Sequence, residues 1–496
     1  MRKKNTLRFA LALLITFVFS QTTFVLAYDG VTQAQTEQLD AMVKEQMSRS
    51  KIPELSIAVI QGDDVAYYSY SNHTEEPLVN QDSLFQMGSV SKAFTAFGIL
   101  LLEEEGYLTL SDPVSKYIPW FSVTYQGAVV NPKDFTLAHL LYQNSGFTND
   151  ETIYPRATGN MTLEDNIRQT SGRELAFYPS EQYAYANTNY YLLGYIIEVV
   201  SGQSYQDFMK ENIFIPLGLE HTYASPTEIP ATEQLVQGSR LSFFRSHPYT
   251  VPIQQGNVPA GYIITNASDI SRWLQIHMGK IELPSPFSAM IEKSHRANAD
   301  SVVNDTTHYA AGWFVDEAAD RIYHSGGTVN FSTNVEFRPG KNIGVCVLTN
   351  MNASVNTNTI AANVLDILEG KPPAPYRSDI WTIFDTIFSL VTFLAGIGAV
   401  CTVARIVMLV VQIKTGKRQK KPIEKVGRKM LLPLLFLVIS VCNLLFLPSL
   451  LGVNWDSMLQ WGPVSVLTGS IALLLFSIFL LAVLNISLRF EQLERH

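Results

Sequence analysis

Cysteine is scarce in this chain, with three residues among 496. Cys401 and Cys442 fall in long apolar runs, and Cys346 lies in a strand-like run at 343–348. None of the three has a spacing typical of a metal site or of a disulfide framework. The nine histidines form no H-x-H or H-E-x-x-H pattern. We therefore expect no metal, no other cofactor and no structural disulfide.

Charged residues are also few, at 16% of the chain, and the formal net charge is −8. Lysine and arginine are concentrated towards the two ends of the sequence, so the central segment is more acidic than the whole chain. No basic stripe crosses that segment. This distribution argues against a nucleic acid partner.

The amino terminus has the pattern of an export signal. Four basic residues precede an apolar stretch at 9–19, and Val25-Leu26-Ala27 provides small residues where a signal peptidase cleaves. We predict a signal peptide at 1–27, with an uncleaved anchor as the alternative. In both cases the rest of the chain is expected outside the cytoplasm.

The carboxyl terminus contains three apolar stretches long enough to cross a bilayer, at 386–413, 430–451 and 464–487. The segment 414–429 between the first two carries eight Lys/Arg and one Glu, which predicts a cytoplasmic loop. The second connection, around 454–456, has no basic residue. We predict a multi-pass transmembrane domain at 380–496, joined by a linker at 371–379, in a bacterial cell membrane.

The central segment 28–370 has an α/β pattern. Two predicted hairpins, at 55–70 and 333–348, lie near its two ends. Helical periodicity occurs at 35–49, 89–105, 136–143, 190–200, 204–212 and 354–369. Strands at both ends with helices between them predict one sheet completed by both termini of the domain.

A serine and a lysine stand three residues apart in Ser89-Val90-Ser91-Lys92, at the start of a predicted helix. Residues at i and i+3 share a helical face, so the amine of Lys92 can approach the hydroxyl of Ser89. A serine becomes a good nucleophile when a neighbouring base takes its proton. This motif alone is weak evidence, because chance supplies it about twice in a chain of this length.

Two further motifs change the interpretation. The segment 88–96, Tyr185-Ala186-Asn187 and His324-Ser325-Gly326 resemble, in order and spacing, the three motifs of the class C beta-lactamase and penicillin-binding-protein family of serine hydrolases. The resemblance covers about 30–370 and includes connecting phrases at 106–113, 136–146, 216–219, 309–313 and 348–350. It implies an antiparallel sheet flanked by helices, with an inserted all-helical lobe.

The resemblance also implies roles for individual residues. Ser89 would be the nucleophile, and Lys92 and Tyr185 would share the proton transfers, with the choice of general base left open. We expect positive neighbours to lower the pKa of the Tyr185 phenol. Substrate would be bound by Asn187, His324, Ser325 and Gly326. The backbone N–H groups of Ser89 and Gly327 would form the oxyanion hole.

His324 stands where true class C beta-lactamases have a lysine, and a neutral imidazole binds a carboxylate less well than an ammonium. We therefore predict an acyl-enzyme hydrolase acting on a D-amino-acid-containing peptide, amide or ester, with beta-lactamase activity as an alternative. The anchored architecture resembles the colibactin-maturation peptidase, so prodrug activation or self-resistance is a second alternative, although Gln86 and Asn187 differ from that peptidase. A non-catalytic sensor of cell-wall fragments is the third.

Overall fold

A seven-stranded antiparallel sheet forms the centre of the protein. The computed structural model describes residues 30–73, 78–148, 161–253, 255–420 and 427–493, so the predicted signal peptide lies outside the described residues. The sheet has the order β2-β1-β13-β12-β11-β10-β9. Its first two strands come from the start of the domain and the other five from its end, as the two predicted hairpins required.

The strands of this sheet are β1 (Glu54–Gln61), β2 (Asp64–Ser71), β9 (Thr307–Tyr309), β10 (Phe314–Asp316), β11 (Arg321–Gly327), β12 (Ser332–Arg338) and β13 (Ile343–Thr349). Short strands elsewhere are β3 (Phe85–Gln86), β4 (Thr124–Tyr125), β5 (Ala128–Val129), β6 (Ser239–Ser242), β7 (Arg245–Pro248), β8 (Ile264–Thr265), β14 (Arg418–Lys420) and β15 (Phe490–Gln492).

The helices up to the end of the central domain are α1 (Gln33–Ser50), α2 (Ser91–Glu104), α3 (Val114–Tyr117), α4 (Leu137–Leu141), α5 (Leu163–Thr170), α6 (Asn187–Ser201), α7 (Tyr205–Met209), α8 (Ile215–Leu217), α9 (Val258–Gly261), α10 (Ala267–His277), α11 (Phe287–His295) and α12 (Ser354–Leu368). The helices of the carboxyl-terminal region are α13 (Ile380–Lys414), α14 (Gly427–Leu450), α15 (Trp455–Trp461) and α16 (Val464–Arg489).

The sheet separates two hydrophobic layers because alternate side chains of a strand point to opposite faces. In β1, Ile57 and Val59 pack with α1 and α12, whereas Ala58 and Ile60 face the larger core on the other side. That larger core contains α2, whose residues 91–102 are all buried. Its complete burial explains why this helix is apolar on every side rather than along one stripe.

The inserted lobe lies between β2 and β9. It is mainly helical, as predicted, but it also contains the hairpins β4–β5 and β6–β7 and the pair β3–β8. The strands of these pairs are two to four residues long, which is too short to leave a clear alternating pattern in the sequence.

Three helices of the carboxyl-terminal region (α13, α14 and α16, the C-terminal bundle) are long and apolar enough to cross a membrane. The first begins at Ile380, six residues before the predicted stretch, and Asp379 caps its amino end through the backbone N–H of Trp381. This earlier start brings the charged residue Asp385 into the helix.

The predicted linker 371–379 packs against the central domain. The side chain of Asn363 donates to the carbonyl of Ala374 and accepts from its N–H, at 3.0 and 2.8 Å. The guanidinium of Arg49 stacks on the ring of Tyr376, 4.4 Å from its centroid. These contacts hold the segment on the surface of the domain.

Candidate active site

Ser89 lies in a single 3-10 turn, Gly88–Val90, immediately before α2. The sheet residue Gly327 is so close to this turn that a Cβ on Gly88 would overlap its backbone nitrogen, and Gly88 itself has φ +53°. On the strand side, a Cβ on Gly326 would overlap the carbonyl oxygen of Met87. Both glycines are therefore required by the close approach of two backbones.

The edge of β11 is open where it meets this turn. β11 pairs with β10 only over 321–323 and extends four residues beyond it, so 324–327 faces Gly88–Val90 instead of another strand. The backbone nitrogen of Gly327 thereby lies against Gly88, the residue that precedes Ser89. Two backbone donors at such a position can stabilise an oxyanion in the transition state.

The amine of Lys92 is completely buried and has three polar neighbours. Its Nζ donates to Oδ1 of Asn187 and to the carbonyl of Ala260, both at 2.7 Å, and lies 3.1 Å from Oγ of Ser89. Burial lowers the pKa of Lys92 well below its usual value. A neutral amine has two N–H bonds for the two carbonyl acceptors and one lone pair, which can accept the Ser89 proton.

Tyr185 and Asn187 lie at the amino end of α6. The Tyr185 ring faces the amine of Lys92, with Nζ 4.8 Å from the ring centroid, and its centroid is 6.1 Å from that of His324. The structure thus brings all three predicted motifs together around Lys92.

His324 is buried, with 1% of its surface exposed. Its Nδ1 donates to the carbonyl of Ser325 at 2.7 Å, and Nε2 lies 3.5 Å from the hydroxyl of Tyr309. Burial lowers its pKa to about 3. The imidazole of His324 is therefore neutral. The next residue, Ser325, points to the opposite face of the strand and is partly exposed.

The expectation of two positive neighbours around Tyr185 is not met by His324, whose pKa of about 3 leaves it neutral. Burial disfavours the protonated form of both Lys92 and His324, because a charge loses its hydration in the protein interior. The sequence could place these residues near the phenol but could not show how deeply they are buried.

Gln143 is a further residue of the site that the sequence motifs did not identify. Its Oε1 accepts from the N–H of Ala186 at 2.9 Å and from the side chain of Asn189 at 2.6 Å. Its backbone carbonyl accepts from Ala184 at 2.8 Å, and its φ is +60°, in the left-handed region. Gln143 thus holds the backbone on both sides of Tyr185. Its position just before Asn144-Ser145-Gly146 was the available signal.

Ala260 was also missed, because a backbone carbonyl has no signature in the sequence. It belongs to α9, in a segment that wraps the start of α2. The hydroxyl of Thr95 donates to the carbonyl of Pro259 at 2.7 Å, and the hydroxyl of Ser91 accepts from Ile263 at 3.0 Å. This segment closes the back of the Lys92 pocket.

The site combines the buried Lys92 beside Ser89 with the ring of Tyr185 facing the amine. Together with the antiparallel sheet, this arrangement is typical of serine hydrolases of the beta-lactamase and penicillin-binding-protein type. The sequence model of the Beta-lactamase family matches residues 39–369, and the chain belongs to this family. The prediction made from the three motifs is confirmed.

Two curated relatives are similar to this chain. Protein flp of Staphylococcus aureus (strain MW2) is 26% identical over 444 residues, covering 88% of this chain and 87% of that protein. This match is too long to lie within residues 1–369, so it includes part of the apolar carboxyl-terminal region. Penicillin-binding protein 4* of Bacillus subtilis (strain 168) is 29% identical over 56% of this chain and 64% of its own length.

Solved structures share the fold. The octameric penicillin-binding protein homologue from Pyrococcus abyssi has a TM-score of 0.59 and 26% identity, covering 71% of this chain and 81% of its own. A class C beta-lactamase has a TM-score of 0.57 and 21% identity, covering 67% and 98%.

Proposed function

We propose that this protein is a membrane-anchored serine hydrolase that forms an acyl-enzyme at Ser89. Its catalytic domain would lie outside the cytoplasm, and its substrate would be a peptide, amide or ester that contains a D-amino acid. The observation that carries the proposal is the buried amine of Lys92, 3.1 Å from Oγ of Ser89 and with a lowered pKa.

In the proposed reaction, the lone pair of Lys92 accepts the hydroxyl proton while Oγ of Ser89 attacks the carbonyl carbon of the substrate. The N–H groups of Ser89 and Gly327 stabilise the oxyanion. The proton then passes to the leaving amine or alcohol, with Tyr185 as the relay, and the carbon–heteroatom bond breaks. Water repeats the sequence on the ester of Ser89 and releases the acid.

The third motif supports the choice of substrate. His324 is neutral and buried, so no ammonium is present at this motif to attract a substrate carboxylate. We therefore favour peptidase or esterase activity over hydrolysis of beta-lactam antibiotics. The similarity to penicillin-binding protein 4* supports acylation of Ser89 by a penicillin probe.

The position of the C-terminal bundle supports the proposed orientation. The central domain contacts the end of the bundle that holds α15, through Arg240 and the carbonyl of Leu459 at 2.8 Å. The basic segment 414–429 connects the carboxyl end of α13 to the amino end of α14, and these two helix ends lie away from α15. By the positive-inside rule that segment faces the cytoplasm, and the catalytic domain faces outward.

Covalent labelling tests the proposal directly. We expect a fluorophosphonate or a fluorescent penicillin to modify the detergent-solubilised protein, with the adduct located on Ser89 by mass spectrometry. Ser89→Ala should abolish labelling, whereas the matched control Ser91→Ala removes a neighbouring hydroxyl and should leave labelling detectable. A folded wild-type protein that reacts with neither probe would favour the sensor alternative. A panel of D,D-peptides, N-acyl-D-amino amides, short esters and cephalosporins then identifies the substrate class.

A further inference from the structure

A carboxylate of the C-terminal bundle reaches into the central domain. Asp385, in the second turn of α13, is 1% exposed. Its two oxygens accept from the backbone N–H groups of Phe243 and Phe244, each at 2.7 Å. The hydroxyl of Ser465, at the start of α16, donates to the same carboxylate at 2.6 Å. Two helices of the bundle and one turn of the domain thus meet at this carboxylate.

The turn that Asp385 holds is strained. Phe243 and Phe244 form the two-residue tip of the β6–β7 hairpin, with φ of +51° and +65°. Such turns favour Asn-Gly, since positive φ is costly for bulky residues. Here the strained backbone points both N–H groups at one carboxylate, which compensates for the unfavourable conformation.

The base of the same hairpin supports the catalytic strand β11. The N–H of Ser239 donates to the carbonyl of Asn350 at 2.7 Å. The side chain of Asn330 donates to the carbonyl of Tyr249 at 2.8 Å, and Gly238 is packed so closely that a Cβ there would overlap that side chain. Asn330 belongs to the turn 328–331, which directly follows Gly327.

Side chains stabilise the turn 328–331 and connect it to the strand that precedes Ser89. The hydroxyl of Thr328 donates to Oδ1 of Asn330 at 3.1 Å and accepts from the N–H of Phe331 at 3.1 Å. The ring of Phe331 packs edge to face on Phe85, which lies in the strand leading to Ser89. A continuous series of contacts therefore connects Asp385 to both proposed oxyanion donors.

We propose that Asp385 is a positioning residue for the catalytic cleft, and that the C-terminal bundle is part of the cleft's framework as well as an anchor. This inference rests on the proposed function. A two-stranded hairpin is marginally stable alone, so β6–β7 depends on support at both ends. Without the carboxylate the tip would loosen, and the turn 328–331 and Gly327 would lose their fixed position.

The test uses the full-length protein in detergent or lipid nanodiscs. Asp385→Asn replaces one acceptor oxygen with a donor that faces a backbone N–H. We expect the rate of Ser89 labelling to fall about tenfold, because small displacements of catalytic groups have effects of this size or larger. The control Thr386→Val changes the next residue, which is exposed and bonded only within its own helix, and should label at the wild-type rate.

A second variant separates positioning from a general loss of structure. Asn330→Ala cuts the same series of contacts at its other end, so it should slow labelling by itself. Because both changes break one series, the double variant should be little slower than the slower single variant. If the two reductions in labelling rate multiply in the double variant, the two residues act independently, which would contradict a shared series of contacts.

Hydrogen exchange of the backbone amides gives a readout that does not depend on activity. Asp385→Asn should speed exchange in 239–248 and in 328–331 and leave β1 unchanged. A folded Asp385→Asn variant that labels at the wild-type rate, or that exchanges normally at 328–331, overturns the inference. If this variant does not fold, Ser465→Ala removes one donor and should slow labelling about threefold.

The failure of the proposed function can be recognised separately. If the wild-type protein is not labelled at Ser89, the hydrolase proposal fails, and exchange at 328–331 in Asp385→Asn alone decides whether the carboxylate supports the turn.

Discussion

Among single residues, the central feature is a buried lysine whose pKa is lowered by its surroundings. Lys92 is fully buried and meets two carbonyl acceptors and one hydroxyl. Burial disfavours the charged form of the amine and lowers its pKa, so this amine loses its proton more easily than that of an exposed lysine. Burial also keeps His324 neutral, so in the proposed reaction the two groups differ in role: Lys92 accepts a proton, and His324 packs beside Tyr185.

Replacing Lys92 with methionine tests the role of the amine. The methionine side chain fills a similar volume without a lone pair that accepts the Ser89 proton. We expect the acylation rate to fall by about 10²–10⁴-fold, the usual contribution of a general base. Labelling kinetics measure the loss, and circular dichroism should show a retained fold. Fast labelling of Lys92→Met would transfer the role of base to Tyr185.

The pH dependence of acylation should follow Lys92. Only the neutral amine accepts the proton, so the rate should rise with pH through the lowered pKa of Lys92 and level off above it. His324, with a pKa of about 3, stays neutral throughout this range. Labelling rates between pH 5 and 9 measure the profile. His324→Gln should lower the acylation rate but leave the shape of its pH profile unchanged. Loss of the rise with pH in this variant would contradict the assignment of that rise to Lys92.

At the scale of elements, the site depends on how closely the turn before α2 approaches β11. Two glycines, Gly88 and Gly326, permit this approach, and each lies against the backbone of the other element. The hydroxyl of Thr333, in the neighbouring strand β12, donates to the carbonyl of Met87 at 2.7 Å and adds a second contact between this turn and the sheet. The proposed oxyanion hole would thus be a product of packing between a helix start and a strand edge.

Gly326→Ala should separate these elements. The added Cβ overlaps the Met87 carbonyl, and overpacking of this kind typically costs about 1–3 kcal/mol. We expect lower thermal stability together with a loss of labelling of at least about tenfold, since Gly327 moves with its neighbour. Gly261→Ala is a matched control in the same region, because its Cβ would make only an ordinary contact with Gly88. Equal effects of the two changes would argue against a specific overlap.

At the scale of the whole molecule, the buried histidines make stability dependent on pH. His277 is buried against Trp273 and beside His295, and burial lowers its pKa well below the usual value. The folded state therefore leaves His277 unprotonated below pH 6.5, where the unfolded chain binds a proton. Stability contributed by this group is complete above pH 6.5 and is lost as pH falls towards the folded pKa.

Thermal or denaturant unfolding between pH 7 and 5 checks this prediction. The wild-type free energy of unfolding should fall by about 1.4 kcal/mol more per pH unit below about 6.5 than that of His277→Phe, which lacks the titrating group. His308→Phe, which makes the same substitution at a partly exposed position of β9, is the control for the effect of the added ring. Parallel pH curves for wild type and His277→Phe would show that burial of this histidine does not govern acid stability.

Much of the architecture follows from local sequence patterns. Alternating strands around short turns predicted the hairpins β1–β2 and β12–β13, and helical periodicity predicted α1, α2, α6 and α12 close to their observed bounds. The three long apolar stretches, interrupted by a basic segment, predicted the C-terminal bundle. The motif residues Ser89, Lys92, Tyr185, Asn187 and His324 could be found because their spacing and order resemble those of a known family.

The set of elements, the family and the residues available for chemistry could therefore be predicted from the amino-acid sequence, because these depend on short-range periodicity and recognisable motifs. Which groups meet is visible only in the folded protein. The carbonyl of Ala260 at Lys92, the support of the Tyr185 segment by Gln143 and the contact of Asp385 with a distant hairpin involve partners 43 to 168 residues apart. Burial, which lowers the pKa of Lys92 and His324, likewise arises only when those distant segments close around them.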